Sequence, residues 1–94
     1  MSMSLAQKLA ADSVAAVAEG RNLQDVLAEI RAVHPQLTAQ ENGALQDIAY
    51  GCQRYLGSLK YMLGQMLKKP IDNPQLESLL LAAMYQLHYT RNAP

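Results

Sequence analysis

The stretch that decides the fold is residues 38–69, which have the sequence TAQENGALQDIAYGCQRYLGSLKYMLGQMLKK. Its start, from Thr38 to Glu41, has the spacing of a helix capping box. Pro70 comes directly after two lysines at its end and cannot continue a helix. Between these limits apolar side chains recur at alternating steps of three and four residues, the period of one helix face; they are Leu45, Ile48, Cys52, Tyr55, Leu59, Met62 and Met66. The pattern predicts one long helix that could run to Lys68, as the central helix of a bundle; a coiled-coil seam is the alternative.

Three more helices are predicted around this stretch. The first runs from about Ser4 to Glu19 and stops before a glycine. The second begins at the N-cap Asn22 and ends near His34, because the proline that follows disfavours a helical residue before it. The last opens at residues 72–74, where cap residues precede a proline. No segment has the pattern of a strand, so we expect an all-α bundle of about four helices.

Composition limits the functions that the chain can have. Its 94 residues make one domain or part of one, and eight basic side chains balance eight acidic ones. A formal net charge of zero argues against a strongly cationic nucleic-acid binder. One cysteine and two histidines do not have the spacing of a metal site, and no glycine-rich phosphate-binding motif is present. We therefore expect neither a catalytic nor a metal site, and we expect a cytoplasmic protein without a signal peptide or membrane span.

The fourth predicted helix is apolar on nearly all sides. One face carries leucines and an alanine at positions 76, 79, 80, 83 and 87, and the opposite face includes Leu81, Met84, Tyr85 and His88. Such a helix is normally buried on both sides, which predicts His88 as a core residue. A chain of four helices has little left to cover the second side. We therefore expect a bundle that is truncated before its C-terminal helices, with self-association of the fragment as the alternative.

Two segments resemble a known family. The run Tyr50-Gly51-Cys52-Gln53-Arg54, with leucines at 56, 59, 63 and 67, resembles the third helix of NusB-like domains. It is most similar to the version that heads the RsmB (Sun, Fmu) family of ribosomal RNA cytosine-5 methyltransferases. Residues 81–91, LAAMYQLHYTR, are similar to the next helix of that family and its exit. The resemblance covers about residues 9–94.

The resemblance implies that residues 1–94 are a partial N-terminal NusB-like domain and that a catalytic methyltransferase domain lies outside this chain. The parent enzyme would use S-adenosylmethionine, while this chain would hold no cofactor, engage ribosomal RNA and pack on the catalytic domain. The alternative is a free-standing NusB-type transcription antitermination factor that binds RNA and a ribosomal protein. Antitermination factors carry an arginine-rich first helix, whereas Lys8 here is balanced by Asp12 and Glu19. A helical protein–protein module without an RNA role is the third possibility.

A candidate binding face follows from helical periodicity. If residues 38–68 form one helix, the face opposite the apolar stripe carries Tyr50, Arg54, Gly57, Tyr61, Gly64 and Lys68. Tyrosines stack on unpaired bases and cations contact phosphates, so the face is a candidate for RNA binding or domain docking. Arg91, after the fourth helix, and Lys8 complete the predicted site residues. The alternative is that more of the bundle or the absent domain packs on this face, with Arg54 paired to a carboxylate.

Overall fold

The computed structural model describes residues 4–89, and in that range the chain forms five α-helices and no strand. The helices are α1 (Leu5–Ala18), α2 (Leu23–Val33), α3 (Ala39–Arg54), α4 (Leu56–Met66) and α5 (Pro74–Tyr89). The expected all-α fold is therefore confirmed. None of these helices is long and apolar enough to cross a bilayer.

The predicted helix starts are confirmed by their caps. Asn22 caps α2 by accepting a hydrogen bond from the Asp25 amide, and α2 ends at Val33 with His34 as its C-cap. Thr38 and Glu41 form the capping box that opens α3. The Asn73 side chain accepts from two amides in the first turn of α5, at 2.9 and 3.2 Å. These starts were predictable because a cap depends only on neighbours within one turn.

The prediction of a single long helix over residues 38–68 is wrong. The segment forms two helices, so the described chain has five helices where the sequence predicted about four. The segment is interrupted at Tyr55, whose φ of −108° and ψ of 20° are not helical, and α4 ends at Met66. The pair Gly57-Ser58 begins two residues later, and Gly/Ser pairs are a common cause of sharp helix kinks. The apolar stripe continues across the interruption, because Leu59 and Leu63 are buried in the core.

The centre of the bundle is α1, which packs against α2, α3 and α5. Its inner positions are mostly small, and Ala10, Ala11 and Ser13 are almost completely buried. The Ser13 hydroxyl donates to the Ala10 carbonyl at 2.6 Å, so its polar group is satisfied inside the core. Small side chains allow neighbouring helices to approach closely, which explains why the first helix is rich in alanine. The largest fully buried side chains are Leu27, Leu45, Ile48, Leu59 and Leu81.

One side of α5 is buried and the other is open. Leu81, Ala82, Met84 and Tyr85 lie in the core. The outer face carries Leu87, which is 60% exposed, together with exposed Leu76 and Ala83. His88 is exposed, so its predicted place in the core is wrong; it shares the face of Leu81 and Tyr85 but lies in the last turn of α5, beyond the buried positions. The outer face is the side for which the sequence predicted a missing cover.

Candidate functional site

A hollow of about 680 Å³ lies where α3 meets the C-terminal end of α5. We call it the tyrosine hollow, because four of the five tyrosines of the chain line it. Its volume is within the range of about 300–1,000 Å³ that small-molecule sites occupy. Its lining residues are Gln46, Asp47, Tyr50, Gly51, Gln53, Arg54, Tyr55, Tyr85 and Tyr89.

Three of these tyrosines form a stack. The rings of Tyr55 and Tyr89 are nearly parallel, with centroids 4.0 Å apart and an interplanar angle of 7°. Tyr85 lies beside them, 5.7 Å from Tyr89 and 6.3 Å from Tyr55. The two contacts of Tyr85 have the separations of favourable aromatic pairs, about 4.5–7 Å, and the Tyr55–Tyr89 pair is closer than that range. The helix is thus interrupted at the residue whose ring, at the end of α3, stacks on Tyr89 at the end of α5.

A polar contact fixes the innermost ring. The Tyr85 hydroxyl donates a hydrogen bond of 2.9 Å to Oδ1 of Asp47. Burial, with a contribution from the Asp47 carboxylate, raises the pKa of Tyr85 to about 12. Its phenol therefore stays protonated at neutral pH and remains a donor to Asp47.

Gly51 makes this arrangement possible. It is buried in α3, and a Cβ built on it would overlap the Tyr85 ring. Any side chain at this position would push Tyr85 away from α3. The aromatic-Gly-x-x-Arg pattern of residues 50–54 therefore has a structural cause, since its glycine admits a ring from α5.

A second hollow, of about 380 Å³, lies at the end of α4. We call it the lysine hollow, because Lys60, Lys68 and Lys69 line it and Glu77 is the only acidic residue among its lining. Its remaining lining is mainly apolar and includes Leu63, Leu67 and Ile71. A local excess of positive charge beside apolar surface suits a phosphate-bearing ligand.

The structure divides the predicted binding face. Tyr50 and Arg54 come together in the tyrosine hollow, whereas Lys68 lies in the lysine hollow. Tyr61 is 69% exposed and, like the exposed Lys8, lines neither of them. The single continuous face is therefore wrong, because it assumed an uninterrupted helix. Arg91 lies outside the described residues.

The alternative for this face expected a carboxylate beside Arg54 and close neighbours at its two glycines. Neither is found within residues 4–89. Arg54 forms no ion pair there, since the salt bridge found in that range joins Arg21 and Glu29. Gly57 and Gly64 have no atom within 4 Å of an added Cβ. The close approach that their spacing suggested is therefore not made by the described part of the chain.

Sequence reasoning missed Asp47, Tyr55 and Tyr89 as parts of the site. Tyr85 and Tyr89 are one helical turn apart, a spacing that places them on the same side of α5. That spacing was the available signal for an aromatic patch. Tyr55 was placed in the apolar stripe, and its contact with α5 depends on tertiary structure.

Cys52 is a core residue, as predicted. It is fully buried, and its Sγ lies 3.8 Å from the Leu81 carbonyl oxygen, to which it donates. Burial raises the pKa of its thiol to about 12, which leaves very little thiolate at neutral pH. A buried thiol of this kind is not a nucleophile. Among residues 4–89, no three acidic, histidine or cysteine side chains are grouped to hold a metal ion.

Comparison with known proteins gives a family and a set of relatives. A model of the NusB family matches residues 4–94, which confirms the resemblance. Three relatives are named ribosomal RNA small subunit methyltransferase B. The Sodalis glossinidius protein is 34% identical over 89 residues, covering 92% of this chain and 20% of the relative. The Photorhabdus laumondii protein is 33% identical over 75 residues, covering 78% and 17%.

The Pseudomonas putida protein is 33% identical over 84 residues, covering 80% of this chain and 19% of the relative. The chain thus spans about a fifth of the length of the curated relatives it matches. No solved structure matches the chain significantly.

Proposed function

Because the chain belongs to the NusB family, we propose that it is a non-catalytic accessory domain that binds RNA. Its enzyme would be a cytoplasmic, S-adenosylmethionine-dependent methyltransferase that acts on carbon 5 of a cytosine in small-subunit ribosomal RNA. The shared family and the named function of the relatives support this assignment. The fraction of each relative that the chain covers supports an accessory role, with catalysis in a separate domain.

The observation that carries RNA binding is the tyrosine hollow. It combines aromatic rings with the exposed guanidinium of Arg54, which has no ion-pair partner within residues 4–89. Proteins bind single-stranded RNA by stacking its bases on aromatic rings and by placing cations on its phosphates. The hollow offers both kinds of group within one cavity.

The lysine hollow supplies a second place for phosphate contacts. Its three lysines outnumber its one acidic residue, and Lys68 is exposed. The rest of the chain carries seven acidic and five basic side chains, so the whole chain has no net charge. We therefore expect RNA affinity that is modest and that falls as salt is added, by a slope of about 0.7 for each phosphate contact.

The chemistry of methyl transfer belongs outside this chain. S-adenosylmethionine would supply the methyl group, and the catalytic domain of the same polypeptide would bind it. The one cysteine of this chain is fully buried with a raised thiol pKa, which does not fit a catalytic nucleophile. The role proposed for the chain is to hold RNA and to pack on the catalytic domain.

The outer face of α5 is the proposed protein contact. Leu87 is 60% exposed and Leu76 is 46% exposed on that side of the helix. Exposed apolar side chains in one patch are typical of protein interfaces. The partner that we propose is another part of a longer polypeptide, and self-association of the separated chain would cover the same face.

RNA binding is tested by fluorescence anisotropy with labelled fragments of small-subunit ribosomal RNA, between 50 and 200 mM salt. Arg54→Gln and Lys68→Gln are compared with Arg21→Gln, which removes an equal charge from an exposed ion pair with Glu29. We expect Arg54→Gln to weaken binding and to reduce the salt slope by about 0.7, the value of one single-strand phosphate contact. Absence of binding, or equal slopes for all variants, would contradict the proposal.

The accessory role is tested by a graft. In the Sodalis glossinidius relative, the segment that matches this chain is replaced by the chain itself, and methyl incorporation into cytosine is measured. Activity of the graft that falls on introducing Arg54→Gln supports the role. A graft that is stably folded and active, but indifferent to both Arg54→Gln and Lys68→Gln, would contradict RNA contact through either hollow.

A further inference from the structure

Asp47 brings a hydrogen-bond acceptor to the tyrosine hollow. Its Oδ1 accepts from the Tyr85 hydroxyl at 2.9 Å, and the side chain is exposed and lines the cavity. Its second oxygen, Oδ2, has no hydrogen-bond or ion-pair partner within residues 4–89. One carboxylate oxygen is thus held by the fold, and the other is free to accept a hydrogen bond from a ligand.

The stacked rings favour a flat ligand beside this acceptor. Tyr55 and Tyr89 lie face to face, and Tyr50 is a further partly exposed ring of the same cavity. Arg54 follows Tyr50 by one helical turn, so a cation stands next to the aromatic surface. An aromatic platform, a cation and a carboxylate together match the ring, the phosphate and the amino group of a nucleotide.

From this arrangement we infer that the tyrosine hollow binds an unpaired RNA base that bears an exocyclic amino group, cytosine or adenine, in preference to uracil. The inference rests on the proposed RNA-binding function and specifies the base that the site prefers. The amino group donates to Oδ2 of Asp47 while the ring stacks on tyrosine and Arg54 contacts a neighbouring phosphate. Uracil carries a carbonyl where cytosine carries its amino group, so it would place one acceptor against another.

The test measures the ratio of two affinities. The 94-residue chain is titrated with short labelled oligocytidylate and oligouridylate, which have equal charge and similar ring size. We expect the chain to bind oligocytidylate at least about tenfold more tightly, the effect of one charge-assisted hydrogen bond. The variant Asp47→Asn keeps an oxygen that accepts from Tyr85 but replaces the free oxygen with an amino donor. We expect its preference to disappear or to reverse.

Asp12→Asn is the matched control. It removes the same charge from an exposed position on α1 that lines neither hollow. Loss of a negative charge raises the affinity for both oligonucleotides in both variants, so the ratio is the decisive quantity. Asp12→Asn must keep the ratio of the unaltered chain, and circular dichroism must show that each variant is folded.

The possible results separate the two proposals. Salt-dependent binding with equal affinity for both oligonucleotides would overturn the base preference and leave RNA binding intact. A preference for cytidylate that survives Asp47→Asn would overturn the role of Asp47. Failure of the folded chain to bind either RNA would overturn both proposals and would favour a protein occupant for the hollow.

Discussion

The contact between Gly51 and Tyr85 predicts that Gly51→Ala destabilises the fold. The new methyl group would overlap the Tyr85 ring, so the ring must move or α3 and α5 must separate. Overpacking of this kind costs about 1–3 kcal/mol. Displacement of the ring also removes its hydrogen bond to Asp47, worth about 1.5 kcal/mol for a charged acceptor at an exposed site. Alanine recovers about 1 kcal/mol through its higher helix propensity.

The net expected loss is about 1.5–3.5 kcal/mol of unfolding free energy. For a domain of this size the melting temperature falls by about 4–8 °C for each kcal/mol, which makes a shift of roughly 6–28 °C. Urea and thermal unfolding followed by circular dichroism measure both quantities. Gly43→Ala is the control, because it lies in the same helix and an added Cβ there has no atom within 4 Å. It should stabilise the chain by up to about 1 kcal/mol.

A double-mutant cycle with Tyr85→Leu identifies the cause. Once the ring is absent, the alanine at position 51 should cost little or nothing, and the difference is the interaction energy. If Gly51→Ala were as stable as the unaltered chain, the close approach of Tyr85 to α3 would be refuted. If its cost were the same with and without the Tyr85 ring, the overlap would not be its source.

Three further predictions follow from burial and exposure. Cys52 should resist alkylation at pH 8 until urea unfolds the chain. Its thiol pKa of about 12 leaves about a thousandfold less thiolate than the ordinary pKa of 9.0 would. Rapid alkylation of the native chain would contradict the burial of Cys52. As pH rises from 9 to 12 the unfolding free energy should fall, because the native state keeps protons on Cys52 and Tyr85 that the unfolded chain releases. In urea titrations Cys52→Ala should reduce the fall of the unfolding free energy with pH by up to about 1.4 kcal/mol per pH unit. An unchanged pH dependence would contradict a raised pKa for the Cys52 thiol. Leu87→Lys on α5 should reduce self-association in sedimentation velocity, whereas Val33→Lys, at a still more exposed position on α2, should not.

Local signals in the sequence predicted the helix starts well. Asn22, Thr38 and Asn73 all cap helices through bonds to amides within the next three residues. Such contacts are set by neighbours along the chain, so residue type and spacing are enough to find them. The burial of Cys52 and Leu59 was predictable for a related reason, because a helical stripe of apolar residues is the face that turns to the core.

The interruption at Tyr55 was harder to predict. The pair Gly57-Ser58 is a local signal for it, but the apolar period continues through the segment and no proline marks the place. Its ring meets Tyr89, which is distant along the chain, and that contact depends on how α3 and α5 pack. The predicted binding face was wrong for the same reason, because Arg54 and Lys68 share a face only if the helix is unbroken. In the structure they line different hollows.

The acceptor at Asp47 was missed for a different reason. On α3 it is an exposed acidic residue, like many that have no role beyond solubility. It acquires a possible function only through Tyr85, which holds one of its oxygens and aligns the side chain with the hollow. Gly51 allows Tyr85 to reach Asp47, because the absence of a side chain at position 51 leaves room for the Tyr85 ring against α3.

The most direct test of RNA binding at the tyrosine hollow is an NMR titration of the ¹⁵N-labelled chain with short oligocytidylate. Amide signals of α3 around Asp47, Tyr50 and Arg54, and that of Tyr89 on α5, should shift together as RNA is added. Signals of α2, which contributes nothing to the lining of either hollow, should stay in place. Shifts confined to α2, or no shifts at low salt, would contradict RNA binding by this surface.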